Sequence, residues 1–228
     1  MKKVIANRCH LIDFTRGFLI IMVVIYHFGY NLSEIFDMNI NFFNPFFNAL
    51  QKIGVSLFIL LSGIASNYSE NNLKRGIKLF IIALLLTLVT YLFNNDYYIK
   101  FGILHFLGIA IILYHFYRHA SYQELFAILI FAIFITGYVQ TTTVHSPYLF
   151  WLGLYNRSFV SADYVPLFGF LTVFIIGNIL GKYLKAKKWY FNKLKANIFT
   201  FLGRHTLLIY LIHQPIIIAI LYLILRIL

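Results

Sequence analysis

The chain has 228 residues, 61% of them hydrophobic and 11% charged, with a mean hydropathy of +0.80. Soluble domains hold about 45–50% apolar and about 25% charged residues, so this composition excludes a soluble globular protein. The net charge of +12, from 19 Lys and Arg against 7 Asp and Glu, is then read as membrane topology before nucleic-acid binding.

A helix that crosses the hydrocarbon needs about 20 mainly apolar residues. In chain order, the segments 11–30, 46–66, 77–93, 101–117, 165–181 and 206–225 meet that length or come close. A seventh, 125–139, is short and reaches it only through its flanks. The apolar runs are continuous and show none of the alternation of barrel strands. The first segment is too long, and too polar in its first two turns, for a cleaved signal peptide. Cys9 is the single cysteine, so no internal disulfide forms. The expectation is an all-α polytopic membrane protein of about seven transmembrane helices, one domain over 1–228.

Cations sort by loop. With seven crossings and a cytoplasmic N-terminus, fourteen of the nineteen Lys and Arg fall on the cytoplasmic side. They include Lys2, Lys3, Arg8 and Arg118. Only Lys100, Arg157 and Arg226 fall outside, while Arg16 and Lys52 lie within helices. Dropping the segment 125–139 would move the basic run 182–195 outside and spoil the asymmetry. That run reads as a cytoplasmic loop against anionic membrane lipid, with no nucleic-acid role, and it helps attract an anionic cytosolic ligand. The loop 140–164, with YLFWLGLY at 148–155, has room for a re-entrant or interfacial element.

Ionisable groups inside spans are costly and usually face the bundle interior or a wet cavity. The first helix carries Asp13, Arg16 and His27. Arg16 and His27 are eleven residues apart, about 20° beyond three turns, so they share one face about 16 Å apart along the axis. Asp13 and Arg16, three apart, equally suit an ion pair at the inner interface, and His27 alone suits an interfacial histidine. His105 in FGILHFLG, Asp163 in SADYVPLFGF, Lys52, His145 and Arg157 fall toward the same outer zone. A His27–Asp163 or Lys52–Asp163 contact would join them. The last helix opens with GRHTLLIYLIHQP: Arg204 and His205 stand at its cytoplasmic mouth, His213 about halfway along. Pro215 removes a helical bond and predicts a kink there. His213 and Gln214 then either line a cavity or bond neighbouring helices. No Walker loop, GxGxxG, HExxH or nucleophile elbow is present. His115 and His119, at i and i+4, lack nearby carboxylates and read as interfacial rather than metal-binding.

Four stretches occur together in order: RCHLIDFTRGFLIIMVVIYH, FGILHFLGIA, SADYVPLFGFLTVFIIGNILG and LGRHTLLIYLIHQP. In this the chain resembles bacterial relatives of the catalytic domain of heparan-α-glucosaminide N-acetyltransferase, within the transmembrane acyltransferase superfamily. The resemblance implies transfer of an acyl group from cytosolic acetyl-CoA to a hydroxyl or amine of an extracytoplasmic sugar or envelope glycan, across a bacterial cytoplasmic membrane. It makes His27 the catalytic histidine of an Arg-x10-His motif, with Arg16 in the acyl-CoA channel and Asp13 the acid of a DxxRG start. His105 and Asp163 extend the catalytic set, and Arg204, His205 and His213 the cofactor set, with no metal. Larger members of the superfamily carry ten or eleven helices, so either these seven suffice or a homo-oligomer forms the active unit. Two other readings of the same polar groups stand beside it. One is a proton-coupled transporter relaying protons through His27, His105 and His213; the other is a non-catalytic scaffold.

Overall fold

The computed structural model describes residues 10–34, 41–42, 44–96, 98–144, 146, 148–156, 158–188 and 195–227. Lys2, Lys3, Arg8, Cys9, His145, Arg157, residues 189–194 of the basic run and the Arg226 side chain lie outside the described set. Among the described residues there are eight α-helices and no strand beyond an isolated bridge. They are α1 (His10–Glu34), α2 (Pro45–Ser66), α3 (Asn72–Phe93), α4 (Ile103–Tyr117), α5 (Tyr122–Thr141), α6 (Leu167–Ala186), α7 (Ile198–Arg204) and α8 (Thr206–Ile227). Six are long and apolar enough to cross a membrane, as an integral membrane protein requires.

The two marginal spans exchange places. The segment expected to be weak becomes α5, a full 20 residues, while the segment 101–117 yields α4, only 15 residues. A capping box starts α5 early: the Ser121 N–H donates to Glu124 Oε2 (2.6 Å) and the Glu124 N–H to Ser121 Oγ (3.2 Å). At α4 the chain enters extended, with Val165 N–H donating to the Phe101 carbonyl (2.9 Å). Being apolar all round, α4 is buried along most of its length, from Ile103 to Tyr114.

The chain divides into two compact units. The first comprises Met1–Phe58 and Trp189–Leu228, the second Ile59–Lys188. In the first, α1 packs on α7 and α8. A Cβ on Gly17 would collide with the Phe199 carbonyl, and one on Gly203 with the Asp13 carbonyl, so α1 and α7 meet backbone to backbone. An Asn197–Thr200 capping box starts α7, with Thr200 N–H donating to Asn197 Oδ1 (3.0 Å) and Asn197 N–H to Thr200 Oγ1 (2.8 Å).

In the second unit α3 pairs with α4 and α5 with α6. The GNILG stretch of α6 presses Gly177 and Gly181 against the Leu60 and Ile64 carbonyls of α2, a small-xxx-small crossing. Beside it lies a polar network. Asn178 donates to the Gly63 carbonyl (3.0 Å) and accepts from Tyr117 (2.9 Å), while Asn67 donates to the Asn178 carbonyl (3.0 Å) and accepts from Tyr114 (2.8 Å). Two cations of the basic run are engaged at helix ends. Lys182 donates to the Ala120 carbonyl and Lys185 to that of Asn67 (2.8 Å), where cations favour the helix dipole.

Candidate active site

Helix α1 runs unbroken from His10 to Glu34, so Arg16 and His27 do stand on one helix. Near its far end α8 brings up Gln214. The Gln214 amide nitrogen lies 2.9 Å from His27 Nδ1, and its amide oxygen accepts from Asn31 Nδ2 at 2.7 Å. Asn31 is one helical turn beyond His27 and therefore on the same face. In this sense of the chain Nδ1 of His27 is the acceptor and Nε2 carries the ring proton. Half-turns of both amides reverse the sense, so that Nδ1–H donates to Gln214 Oε1 and Nε2 keeps a lone pair.

The His213 ring lies 5.0 Å from that of His27, tilted by 58°. Its Nδ1 is 2.6 Å from the Tyr210 carbonyl, an acceptor only, so Nδ1 carries the proton. Nε2 then holds a lone pair, and it is buried without a hydrogen-bond partner among the described residues. An unsatisfied buried acceptor is costly unless something uses it. Aromatic rings shield this end: Tyr26 meets His27 edge-on at 5.8 Å and Phe42 at 5.6 Å, and Phe42 stacks on Phe47 at 4.2 Å.

Toward the start of α1, Asp13 is 4% exposed and its Oδ2 lies 3.5 Å from Arg204 Nε, at the end of α7. Arg204 and the following His205 are exposed, and His205 Nδ1 donates to the Phe201 carbonyl (2.9 Å). Arg16 is half-buried one turn beyond Asp13, and Lys52 is exposed.

His105 and Asp163 stand in the other unit, around the start of α4. His105 Nδ1 accepts from the Gly102 N–H (3.2 Å), and Asp163 Oδ2 from the Ile103 N–H (3.1 Å). Thr87 Oγ1 donates to the Ile99 carbonyl (2.8 Å), so His105 Nε2–H donates to Thr87 Oγ1 (3.1 Å). Both nitrogens of His105 are therefore engaged in satisfying helix-start donors and a threonine. Gly102 follows from the same geometry, since a Cβ there would strike Asp163 Oδ2.

The family model described as heparan-alpha-glucosaminide N-acetyltransferase, catalytic, matches residues 8–215. The chain belongs to that family. No curated protein and no solved structure matches it. Membership in the N-acetyltransferase family implies acyltransferase activity, with acyl-CoA as donor and a glycan as acceptor in general terms. The matched stretch takes in every residue of the α1–α8 cluster, from Asp13 to Gln214.

Two features of this site go beyond the sequence reading. Asn31 was legible in principle, because its i+4 spacing from His27 marks a shared face. Helix α7 was not: its seven residues merge with the apolar run that follows, and the break falls at His205.

Proposed function

We propose that the protein is a membrane acetyltransferase that moves an acetyl group from cytosolic acetyl-CoA to a hydroxyl or amine of an extracytoplasmic sugar or envelope glycan. The observation that carries this reading is the His27–Gln214–Asn31 chain beside the open His213 nitrogen. His27 is the general base. With the amide chain in its reversed sense, Nε2 takes the acceptor proton as the acceptor oxygen or nitrogen bonds to the thioester carbonyl carbon. The carbon–sulfur bond then breaks, and the imidazolium returns the proton to the departing CoA thiolate. Asn31 and Gln214 hold the ring and set its tautomer. The His213 lone pair, in hydrogen-bonding range of a donor entering the cluster, orients that donor or shares the proton.

At the other end of α1, cations meet an anionic donor. Asp13 engages the Nε edge of Arg204, and the exposed guanidinium suits phosphate oxygens. Arg16 and His205 add to that basic mouth, and Asp13 acts by positioning rather than by touching phosphate. The axial distance of about 16 Å between Arg16 and His27 suits the long arm of coenzyme A. This orientation puts the N-terminus in the cytoplasm, as the distribution of cations favours. His105 and Asp163 are assigned to holding the start of α4 rather than to the chemistry.

The test is thermal unfolding of the purified protein with and without acetyl-CoA, paired with transfer assays on His27→Ala. Stabilisation by acetyl-CoA and loss of transfer are expected. Full transfer by His27→Ala would refute the role of His27. Proton-driven uptake of solute in proteoliposomes without CoA would favour a transporter instead.

A further inference from the structure

A second candidate site lies within the Ile59–Lys188 unit, where Thr87, the partner of His105, forms part of its lining. The segment after α3 and the loop before α6 are tied together. Ala162 N–H donates to the Tyr98 carbonyl (3.1 Å), Lys100 N–H to Ser161 Oγ (3.1 Å) and Val165 N–H to the Phe101 carbonyl (2.9 Å). These bonds fix the floor of a cleft of about 370 Å³. That volume is within the range of about 300–1,000 Å³ typical of small-molecule sites.

The walls are aromatic and the rim is polar. Phe150 stacks on Phe159 at 5.3 Å, and Tyr155 leans on Phe159 at 5.4 Å and meets Tyr164 edge-on at 5.3 Å, while 44% of it stays exposed. Below them Tyr164 donates to the Phe150 carbonyl (2.7 Å), and burial, with Tyr155 beside it, pushes its hydroxyl well above the usual range, so it stays neutral. Ser146, Asn156 and Ser158 supply hydroxyl and amide groups at the opening. Among the described lining residues the one charged side chain is Lys100, whose Nζ lies 5.3 Å from the Tyr98 ring and 5.2 Å from that of Phe159. Cation–π contact holds the ammonium in place, and there is no carboxylate among the described lining residues.

We propose that this cleft binds a sugar unit bearing a carboxylate or phosphate. The partly exposed aromatic wall suits the C–H face of a pyranose, the polar lining groups suit its hydroxyls, and Lys100 suits the acidic group. A lining that is apolar with a few convergent polar groups is what orients a small ligand. The proposal draws on the acetyltransferase reading only for the idea that a glycan visits this protein. The cleft's chemistry stands on its own residues.

The experiment is ligand-observed NMR on the whole protein in nanodiscs, with methyl glucuronide and methyl glucoside as probes. The glucuronide is expected to bind about tenfold more tightly, the scale of one hydrogen bond to a charged group. Lys100→Gln should remove that preference, Lys100→Arg should keep it, and Tyr155→Ala should weaken both probes. His27→Ala should leave binding unchanged, so that failure of the acetyl-transfer reading and failure of the cleft are told apart. Equal binding of the two probes by the wild type would overturn the proposal, as would variants without effect. Loss of glucuronide binding on adding phosphatidylglycerol to the nanodisc would also overturn it, and would make the cleft a lipid-headgroup site.

Discussion

His105 and His213 make an instructive pair. Both are buried, at 3% and 7% exposure, and both sit in apolar helices of a membrane protein. Their surroundings differ in one respect. His105 has each nitrogen matched, one by the Gly102 N–H and one by Thr87, so the ring is a fixed part of the start of α4. His213 has one nitrogen committed to the Tyr210 carbonyl and the other left as a buried lone pair beside His27. A polar group closed on both sides specifies a fold; one left open in a shielded place is available to a ligand. Burial alone does not separate the two. Counting the partners of each nitrogen does.

The contrast can be broken by substitution. The largest effect belongs to His27→Ala, expected to lower acetyl transfer by about 10²–10⁴-fold with the helical circular dichroism unchanged. Next comes His213→Phe, which keeps a ring of similar size but removes the open lone pair. Transfer should fall by about tenfold or more, the scale of one buried hydrogen bond to a charged group, and a rate equal to wild type would close the open site as a catalytic feature. Gln214→Leu should lower transfer by about tenfold through loss of the tautomer-setting bond, whereas Gln214→Glu should retain activity, because its carboxylate accepts from His27 Nδ1–H. If both Gln214 variants behave alike, the amide chain has no part in proton handling. The smallest effect on turnover is expected from His105→Ala. Its transfer per folded molecule should match wild type, while thermal unfolding reports a loss of about 1–3 kcal/mol from the unsatisfied start of α4.

Much of the fold was legible because membrane helices announce themselves by length and apolarity. Each of the seven apolar segments is a helix. What escaped was local. The span 101–117 loses its first residues to an extended bridge with Tyr164, a long-range pairing with no signature in a run of apolar residues. The weak span gains its length from Ser121 and Glu124, a capping signal that was present in the sequence. In sequence Lys182 and Lys185 read as topology signals; they also cap helix ends, which only the three-dimensional meeting of α6 with the ends of α2 and α4 determines.

The site divides along the same line. The shared helix of His27 and Arg16 was legible because an eleven-residue spacing is a matter of geometry alone. Asp13 was placed correctly on α1, while the Arg204 beside it comes from α7, and that meeting depends on Gly17 and Gly203 allowing two backbones to touch. His105 and Asp163 are legible as ionisable residues near a helix start. At such a place a side chain that satisfies backbone donors and a side chain that does chemistry look the same in sequence.

The central claim is that His27 performs acetyl transfer to a glycan, and envelope glycans test it directly. Mass spectrometry of glycans from cells expressing either the wild type or His27→Ala, at matched protein levels, should show one acetyl mass with the wild type and none with the variant. The same acetylated glycan at the same abundance in both would contradict it.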